Sequence, residues 1–400
     1  MPPLTAARRS VCAGHRDLPG TPTRGGDQLA AHARTLADQV THPGSRWHQA
    51  LVDTPRHRFV PAWWDDSDGP WVLRRGQLAG AYADRSLVTR VGPLHADLAE
   101  DDDHPRGRPT SSSTAPSLAV TMYRYGHLSR GLDIADVGTG SGYGAALLAR
   151  RYGSRHVTTL DVDPHLVSAA AGRLAALDLC PTALTVDATG PLPGTYDRIV
   201  SMVVPSIPPS WLAALRPGGR LVTTIRGTWI ILTATRTPDG VFGQVERDWA
   251  GFMDVRSGPD YPPAAAVDFD GIAERDGEQV GVGRYPVLHV ADAWELSTML
   301  HLAVPGIEHR YRRESDGRHT ALMANPDGSW ARGTAIGTDP PTVHQGGPRR
   351  LWDALDAVRD DWLRLGWAPF LGARAMIRDD GTVKLLRGDW RATIHAVSAP

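Results

Sequence analysis

The sequence is poor in lysine, in cysteine and in long apolar stretches. Lys384 is the only lysine, so arginine supplies nearly all of the positive charge, and the formal net charge of the 400-residue chain is −1. This balance gives no electrostatic reason to expect nucleic acid or an anionic membrane as a partner. The two cysteines, Cys12 and Cys180, make neither a disulfide framework nor a metal-binding pattern. We expect Cys180 to be a small buried hydrophobic residue.

The sequence has no long hydrophobic run. No apolar stretch reaches the roughly 18–20 residues that a membrane-spanning helix needs, and the first residues lack the hydrophobic core of a signal peptide. Residues 1–27 are therefore predicted to be a disordered tail. We expect a cytoplasmic monomer with no membrane partner.

From Ser117 onward the chain alternates between apolar strand and helix patterns. Alternation of this kind predicts an α/β fold with a mostly parallel sheet and helices on both faces. Before it, residues 28–52 are predicted to be helical and residues 99–116 to be a polar loop, with Asp101–Asp103 as a solvated tip and no metal site. After Gly227 antiparallel strands and an α+β C-terminal region are expected. The predicted strands of the α/β part are 131–137, 156–160, 183–186, 197–202 and 220–225.

A glycine cluster at the first of these strands fits two nucleotide patterns. Gly140-x-Gly142-x-x-Ala145 matches the dinucleotide pattern, whereas Asp136-x-Gly138-x-Gly140-x-Gly142 is typical of enzymes that use S-adenosyl-L-methionine. A strand-to-helix turn with several glycines lets a ligand approach the backbone and the helix N-terminus. The glycines alone do not decide between the two ligands.

Three acidic residues favour S-adenosyl-L-methionine over a dinucleotide. Asp136 is a poor neighbour for pyrophosphate but suits the ammonium of a methionine moiety, and Asp161 ends the next strand, where it can accept both ribose hydroxyls. Asp187 follows the third strand and could receive the adenine amino group, although turn chemistry would also explain it. Asp163, before Pro164, could simply cap a helix. The predicted cofactor-binding residues are Asp136, Gly138, Thr139, Gly140, Gly142, Asp161, Val162, Asp187 and Ala188.

Segments upstream of the glycine loop make the chain resemble the protein-L-isoaspartate O-methyltransferase family. They read VDTPRHRFVPAWW (52–64), AYADRSLVT (81–89) and TSSSTAP (110–116), and YDRIVSMVVPSIPPSWLAALRPGGRLV (196–222) follows the loop. The resemblance implies a class I S-adenosylmethionine-dependent methyltransferase: a Rossmann-like, mostly parallel seven-stranded sheet with an N-terminal helical substrate segment. The product formed from the cofactor would be S-adenosyl-L-homocysteine.

The same resemblance implies where the acceptor carboxylate is held. In the family a Ser two residues before Pro lies beside the reacting carboxylate, and here Thr114 occupies that position, preceded by Ser113. Thr114 and Ser113 are therefore the expected catalytic residues. The alternative is that Thr114 only caps the helix that follows Pro116.

The C-terminal region resembles, more loosely, an extension of homologues encoded beside ribosomal-peptide biosynthesis genes. Matching segments are 327–334, 343–355 and 379–386. This implies a catalytic domain at 28–248, with its Rossmann core at about 117–227, and an accessory peptide-recognition region at 249–400. The substrate would be a modified precursor or macrocyclic peptide (a lanthipeptide, lasso peptide or graspetide).

The reaction implied is methylation of an Asp side chain in that peptide, after which the ester cyclises to an aspartimide or gives isoaspartate. HRYRRE (309–314) could meet acidic peptide residues, and Trp330, Trp352, Trp362 and Trp367 could offer apolar contacts. For each of these, an ordinary strand or core position is the competing interpretation. General isoaspartate repair, methylation of a small molecule, a non-catalytic cofactor-binding partner and a dehydrogenase stay open as alternatives.

Overall fold

The computed structural model describes residues 24–66, 69–204, 206–251, 267–366 and 368–396. These residues form two compact units, one up to Ala188 and the other from Thr189 onward. Residues 1–23 of the predicted tail lie outside the described residues, and residues 24–27 belong to a helix instead. The division into a 28–248 catalytic domain and a 249–400 accessory region stays a prediction about function.

The first unit contains seven of the described helices. The predicted 28–52 helix is interrupted around Pro43, because proline cannot continue the helical hydrogen-bond ladder. The helices are α1 (Arg24–Val40), α2 (His48–Val52), α3 (Arg56–Phe59), α4 (Leu78–Ala81), α5 (Pro116–Tyr125), α6 (Tyr143–Tyr152) and α7 (Pro164–Ala175).

The strands of the first unit form a small antiparallel sheet and a parallel group. In the small sheet the order is β2-β1-β3-β4, and β5 pairs with β3. In the parallel group β7 pairs with β6 on one side and β8 on the other. The strands are β1 (Ala62–Asp65), β2 (Val72–Arg75), β3 (Leu87–Val91), β4 (Leu94–His95), β5 (Pro109–Ser113), β6 (Ile134–Val137), β7 (Val157–Asp161) and β8 (Thr182–Thr185).

Strand β6 of the parallel group is apolar enough to be buried on both faces of the sheet. All four residues of β6 are buried, as is typical of a parallel strand. The helix that follows, α6, is rich in alanine and leucine, and its first residue comes directly after a left-handed Gly142. α7 begins at Pro164, and its start is capped by the carboxylate of Asp163, which accepts from His165 and Leu166 backbone N–H groups. The capping interpretation of Asp163 is confirmed.

The second unit begins with two parallel strands and continues antiparallel. β9 and β10 are parallel, and the order continues β10-β11-β12-β18-β19-β20 with antiparallel pairs. A second antiparallel sheet has the order β13-β17-β16-β15-β14. The strands are β9 (Tyr196–Val204), β10 (Leu215–Ile225), β11 (Ile230–Thr237), β12 (Gly240–Trp249), β13 (Gln279–Val282), β14 (Glu308–Arg313), β15 (Arg318–Ala324), β16 (Trp330–Ile336), β17 (Thr342–Gly346), β18 (Arg374–Ile377), β19 (Val383–Arg387) and β20 (Trp390–Ile394).

The helices of the second unit are few. They are α8 (Pro209–Ala214), α9 (Phe269–Glu274), α10 (Trp294–Ala303) and α11 (Leu351–Leu365). Across the residues placed by the structure, no helix combines the length and the apolar character that a bilayer crossing requires.

The predicted α/β fold class is confirmed, and in the second unit the antiparallel strands β11, β12, β18, β19 and β20 add to the parallel pair β9 and β10. Two predictions of detail are wrong. The predicted polar loop at 99–116 contains β5, because Thr and Ser residues there pair with β3. Cys180 is exposed and is not a free thiol.

Candidate active site

The glycine loop is fixed to the carboxyl end of β7. The backbone N–H groups of Gly138 and Thr139 both donate to the Leu160 carbonyl, at 2.8 and 3.0 Å. The Gly140 N–H donates to the Asp161 carboxylate at 2.9 Å. These three bonds place the turn after β6 directly beside the acid that ends β7.

Each glycine of the loop has a positive φ and a different reason to lack a side chain. A Cβ on Gly142 would lie 2.7 Å from Ala170 Cβ, so α6 and α7 pack closely there. A Cβ on Gly140 would lie 3.1 Å from the Ser112 carbonyl oxygen, so β5 approaches the loop at this point. A Cβ on Gly138 would meet no heavy atom within 4 Å. The backbone at Gly138 therefore faces open space, as a ligand-binding turn requires.

Asp136 is buried at the end of β6 and is only 3% exposed. The Thr159 hydroxyl donates to its carboxylate at 2.9 Å, and the hydroxyl of Tyr123 faces it from α5. Burial raises the pKa of Asp136 to about 7, against the opposing effect of the Thr159 and Tyr123 hydroxyls. A carboxylate in this position is stabilised strongly by a cation that reaches it.

The other predicted cofactor residues lie at the carboxyl ends of the neighbouring strands. Asp161 also accepts from the Asp163 N–H at 3.1 Å, and its carbonyl accepts from the Val186 N–H at 2.8 Å. That last bond brings the segment with Asp187 next to β7. Val162 and Asp187 are half-buried and Ala188 is buried. The carboxyl ends of parallel strands are where open α/β sheets bind ligands.

The expected acceptor segment lies between β5 and α5. Ser113 is 3% exposed, and its hydroxyl is buried without a hydrogen-bond partner. Thr114 is half-buried. The N-cap of α5 is Ala115, and no side chain of the cap residue bonds the helix. The interpretation of Thr114 as a helix cap is therefore wrong, and its hydroxyl stays available for another partner.

The start of α5 is instead capped by residues far away in the sequence. The Ser117 N–H donates to Asp84 Oδ1 at 2.9 Å, and the Ala115 N–H donates to the Ser86 hydroxyl at 3.1 Å. Both acceptors belong to the AYADRSLVT segment. They leave the hydroxyls of Thr114 and Ser113 out of the capping role.

Arg56 ties the two upstream motifs together. It is fully buried, and its two terminal nitrogens donate to five backbone carbonyls. Burial lowers the pKa of Arg56 to about 10, opposed by Tyr143 and Asp84, so the guanidinium stays charged at neutral pH. The acceptors are the carbonyls of Ala81, Ala83, Arg85, Ser113 and Thr114.

The structural roles of Arg56, Asp84 and Ser86 were not predicted from the sequence. The signal was present, because all three lie in segments quoted for the family resemblance, but their partners are 25 to 58 residues away. A backbone carbonyl is present at every residue, so the sequence does not show which ones will accept a hydrogen bond from Arg56. These contacts can be identified only in the folded structure.

Residues expected to recognise a peptide in the second unit are mostly engaged within it. Arg310 and Arg312 both pair with Asp270, Trp352 is 1% exposed, and the Trp362 indole N–H donates to Glu295. The structure therefore favours ordinary strand and core roles for these side chains. Trp330 is also buried, and Trp367 lies outside the described residues.

The parallel strands, the open glycine turn and the acids around it fit S-adenosyl-L-methionine. The loop offers open space on the Cβ side of Gly138, a half-buried carboxylate at Asp161 and a buried carboxyl group at Asp136. Together they define a class I methyltransferase that depends on this cofactor.

Comparisons with known proteins identify the family. A family model described as Protein-L-isoaspartate(D-aspartate) O-methyltransferase (PCMT) matches residues 102–246. The protein-L-isoaspartate O-methyltransferase of Anaeromyxobacter dehalogenans is 30% identical over 220 residues, covering 52% of this chain and 90% of that protein. The one from Ignicoccus hospitalis is 34% identical over 200 residues, covering 48% of this chain and 80% of that protein.

A solved structure of a protein-L-isoaspartate O-methyltransferase is also similar, with a TM-score of 0.46, 16% identity, and coverage of 87% of this chain and 95% of that one. The chain belongs to the protein-L-isoaspartate O-methyltransferase family. It is an enzyme, a protein carboxyl O-methyltransferase that uses S-adenosyl-L-methionine as methyl donor.

Proposed function

We propose that this enzyme methylates the side-chain carboxylate of an ordinary Asp in a ribosomally made, constrained peptide. The observation that carries the proposal is the five-stranded sheet β13-β17-β16-β15-β14, which lies wholly outside the family-matched residues 102–246. It is a folded addition to the part that explains methyl transfer. We assign to residues 249–400, which contain this sheet, the role of binding the peptide substrate.

The residues that would hold the methyl donor are those around the glycine loop. Asp161 would accept the ribose hydroxyls, Asp187 the adenine amino group, and Asp136 the ammonium of the methionine moiety. Val162 and Ala188 would line the same edge. When bound, S-adenosyl-L-methionine supplies an electrophilic methyl group on a positively charged sulfur.

The acceptor carboxylate needs no general base. A free Asp has a pKa near 3.9, so its oxygen is already a nucleophile at neutral pH. A bond forms between this oxygen and the methyl carbon while the sulfur–methyl bond breaks, and that electron pair stays on sulfur. Positioning alone can supply roughly 7–11 kcal/mol of the rate enhancement.

Thr114 and Ser113 would provide that positioning. The Thr114 hydroxyl does not cap α5, and the Ser113 hydroxyl is buried without a hydrogen-bond partner. Both can donate hydrogen bonds to an acceptor carboxylate. Arg56 fixes the backbone carbonyls of the same two residues, at 3.3 Å each, so the hydroxyls are presented from a rigid segment.

The methyl ester would then react within the peptide. Unlike a carboxylate, an ester has a usable leaving group, so the next backbone nitrogen attacks the carbonyl carbon and methanol leaves. The product is an aspartimide, which water opens to aspartate or isoaspartate. A constrained peptide favours the ring closure because the nitrogen is held near the ester.

General isoaspartate repair is the second candidate, and the family relationship favours it. Its substrate would be an isoaspartyl residue in a damaged protein, with the same donor site and the same acceptor hydroxyls. The third is a non-catalytic cofactor-binding partner in a biosynthetic complex. The three make different predictions for the same assay.

The test compares three peptides with methyl-labelled S-adenosyl-L-methionine. They are a macrocyclic peptide with one Asp, the same macrocycle with Asn at that position, and a linear isoaspartyl peptide. We expect label on the Asp macrocycle and none on the Asn macrocycle. Loss of methanol from the labelled peptide should then follow in the mass spectrum. Label on the isoaspartyl peptide alone would establish repair, and cofactor binding without label on any peptide would establish the non-catalytic role.

A matched pair of enzyme variants reports on the acceptor segment. Thr114→Val keeps the shape and removes the hydroxyl, so methyl transfer should fall about 10²-fold or more if that donor orients the carboxylate, with unchanged cofactor binding by calorimetry. Thr121→Val, on α5, is the control and should retain activity. Equal activity of the two variants would remove Thr114 from the mechanism.

A further inference from the structure

Three potential metal ligands converge in the first unit, outside the glycine loop. His95 ends β4, Asp97 follows two residues later, and His165 lies in the first turn of α7. One ligand atom from each lies within 4.8 Å of the others. The imidazole rings of His95 and His165 have centroids 4.4 Å apart. Their sequence separation of about 70 residues conceals this cluster from any motif search.

The spacing of the cluster suits a small divalent ion. Tetrahedral bonds of about 2.0–2.1 Å place two ligand atoms about 3.3 Å apart. His165 Nε2 and Asp97 Oδ1 are already 3.2 Å apart. His95 also offers a ring nitrogen within 4.8 Å of these two ligand atoms, a separation that a small movement of side chains would close.

Each potential ligand is oriented by a second group. His95 Nε2 lies 3.2 Å from Asp163 Oδ2, while His95 Nδ1 is buried without a hydrogen-bond partner. The Asp163 contact thus leaves Nδ1 as the free ring nitrogen. On Asp97, Arg173 holds Oδ2 at 2.6 Å and leaves Oδ1 facing His165. A carboxylate on the far nitrogen of a histidine is the usual outer support of a metal ligand.

We propose that His95, Asp97 and His165 form a zinc site. Two imidazoles and one carboxylate are a donor set that zinc prefers, and a water molecule would complete the four ligands. Arg173 and Arg90, which lies 3.6 Å from Asp163, add positive charge nearby. We therefore expect binding weaker than in an all-cysteine structural site.

The position of this site gives it a structural role. Asp163, the outer support of His95, also caps α7 and follows the predicted ribose acid Asp161 by two residues. An ion on His95, Asp97 and His165 would join β4 to the first turn of α7. It would thereby hold the segment between Asp161 and α7 in place.

Zinc binding to the full-length protein tests the proposal. The protein is stripped with a chelator, dialysed, and titrated with Zn²⁺ by calorimetry, and bound metal is counted by mass spectrometry. We expect about one equivalent of zinc per chain and a rise in Tm on its addition. Substitution of Co²⁺ should give the intense visible absorption of a tetrahedral site.

Variants distinguish this site from adventitious binding. His165→Gln and Asp97→Asn, at partly exposed positions, should each lose the bound equivalent while circular dichroism stays unchanged. His156→Gln is the matched control, because His156 also pairs with a carboxylate, Asp133, in the same unit. No binding by the parent protein, or binding that survives both cluster variants, would overturn the proposal. None of these readouts depends on methyl transfer.

Discussion

Asp136 and Arg56 are ionisable residues that the fold buries almost completely, and burial changes what each can do. A buried carboxyl group with few compensating contacts resists ionisation, which is why the pKa of Asp136 rises to about 7. Burial lowers the pKa of Arg56 only to about 10, so it stays charged at neutral pH and donates hydrogen bonds to five carbonyls. Asp136 can therefore bind a cation, and Arg56 holds the backbone of the acceptor segment in place.

Cofactor affinity should depend on pH through Asp136. Its proposed partner, an ammonium, binds the ionised form, so protonation below pH about 7 should weaken binding. We expect Kd for S-adenosyl-L-methionine to rise more than about tenfold between roughly pH 7.5 and 5.5, measured by calorimetry. Asp136→Asn should bind weakly with a flat profile in that range, while Asp102→Asn, in an exposed loop, should keep the parent profile. A pH-independent Kd in the parent protein would contradict the role.

The same pKa has a consequence for stability. The folded state binds the proton of Asp136 more tightly than the unfolded state, whose pKa is near 3.8. The folded state therefore gains stability at low pH from this group and loses it as pH rises towards about 7. Binding of the ammonium above that pH would offset the loss.

Arg56→Lys should reduce turnover more than cofactor binding. A lysine ammonium has three donors and cannot reach five carbonyls, so backbone around Ser113 and Thr114 loses partners. We expect a fall in kcat of about tenfold or more, little change in Kd for the cofactor, and a loss of about 3–5 kcal/mol in unfolding free energy.

The neighbouring Arg58→Lys is the control for Arg56, because Arg58 is exposed. It should leave kcat, Kd and stability unchanged. Equal effects of the two substitutions on kcat, or a parallel loss of cofactor affinity in Arg56→Lys, would show that Arg56 does not position the acceptor segment.

At the scale of elements, the active site depends on how closely α6, α7 and β5 approach the glycine loop. The pattern Asp136-x-Gly138-x-Gly140-x-Gly142 predicts a ligand turn, but two of its glycines are required by packing. The lack of a side chain at Gly142 allows Ala170 of α7 to approach closely, and the same lack at Gly140 allows the Ser112 carbonyl of β5 to approach. The methyl-donor loop and the acceptor segment are thereby brought into direct contact.

Gly142→Ala should destabilise the protein by about 1–3 kcal/mol or more, because the new Cβ meets Ala170 Cβ and the residue has a positive φ of 85°. Gly172→Ala, on the exposed face of α7 with no atom near its Cβ, should instead stabilise by up to about 1 kcal/mol. Denaturant unfolding measures both. Equal stability of the two variants would mean that α6 and α7 separate easily at this point.

At the scale of the whole molecule, the second unit is built from sequence on both sides of the predicted domain boundary. β12 ends at Trp249, and its neighbour in the sheet is β18, more than a hundred residues later. Removing the residues after Trp249 would therefore remove the partner of β12 and expose a strand edge. Substrate assays are better made on the full chain than on a truncated one.

The sequence by itself determined the α/β alternation, the methyl donor and the family. Those features are local, since apolar periodicity, a glycine turn and an acid at a strand end lie within short segments. It missed β5, since a Ser- and Thr-rich strand resembles a loop until β3 pairs with it.

Only the tertiary structure decided which groups surround the site. The five carbonyls of Arg56, the capping of α5 by Asp84 and Ser86, and the meeting of His95, Asp97 and His165 join residues far apart in the chain. Contacts of that kind depend on chain folding and close packing, and no local pattern of residue types encodes them.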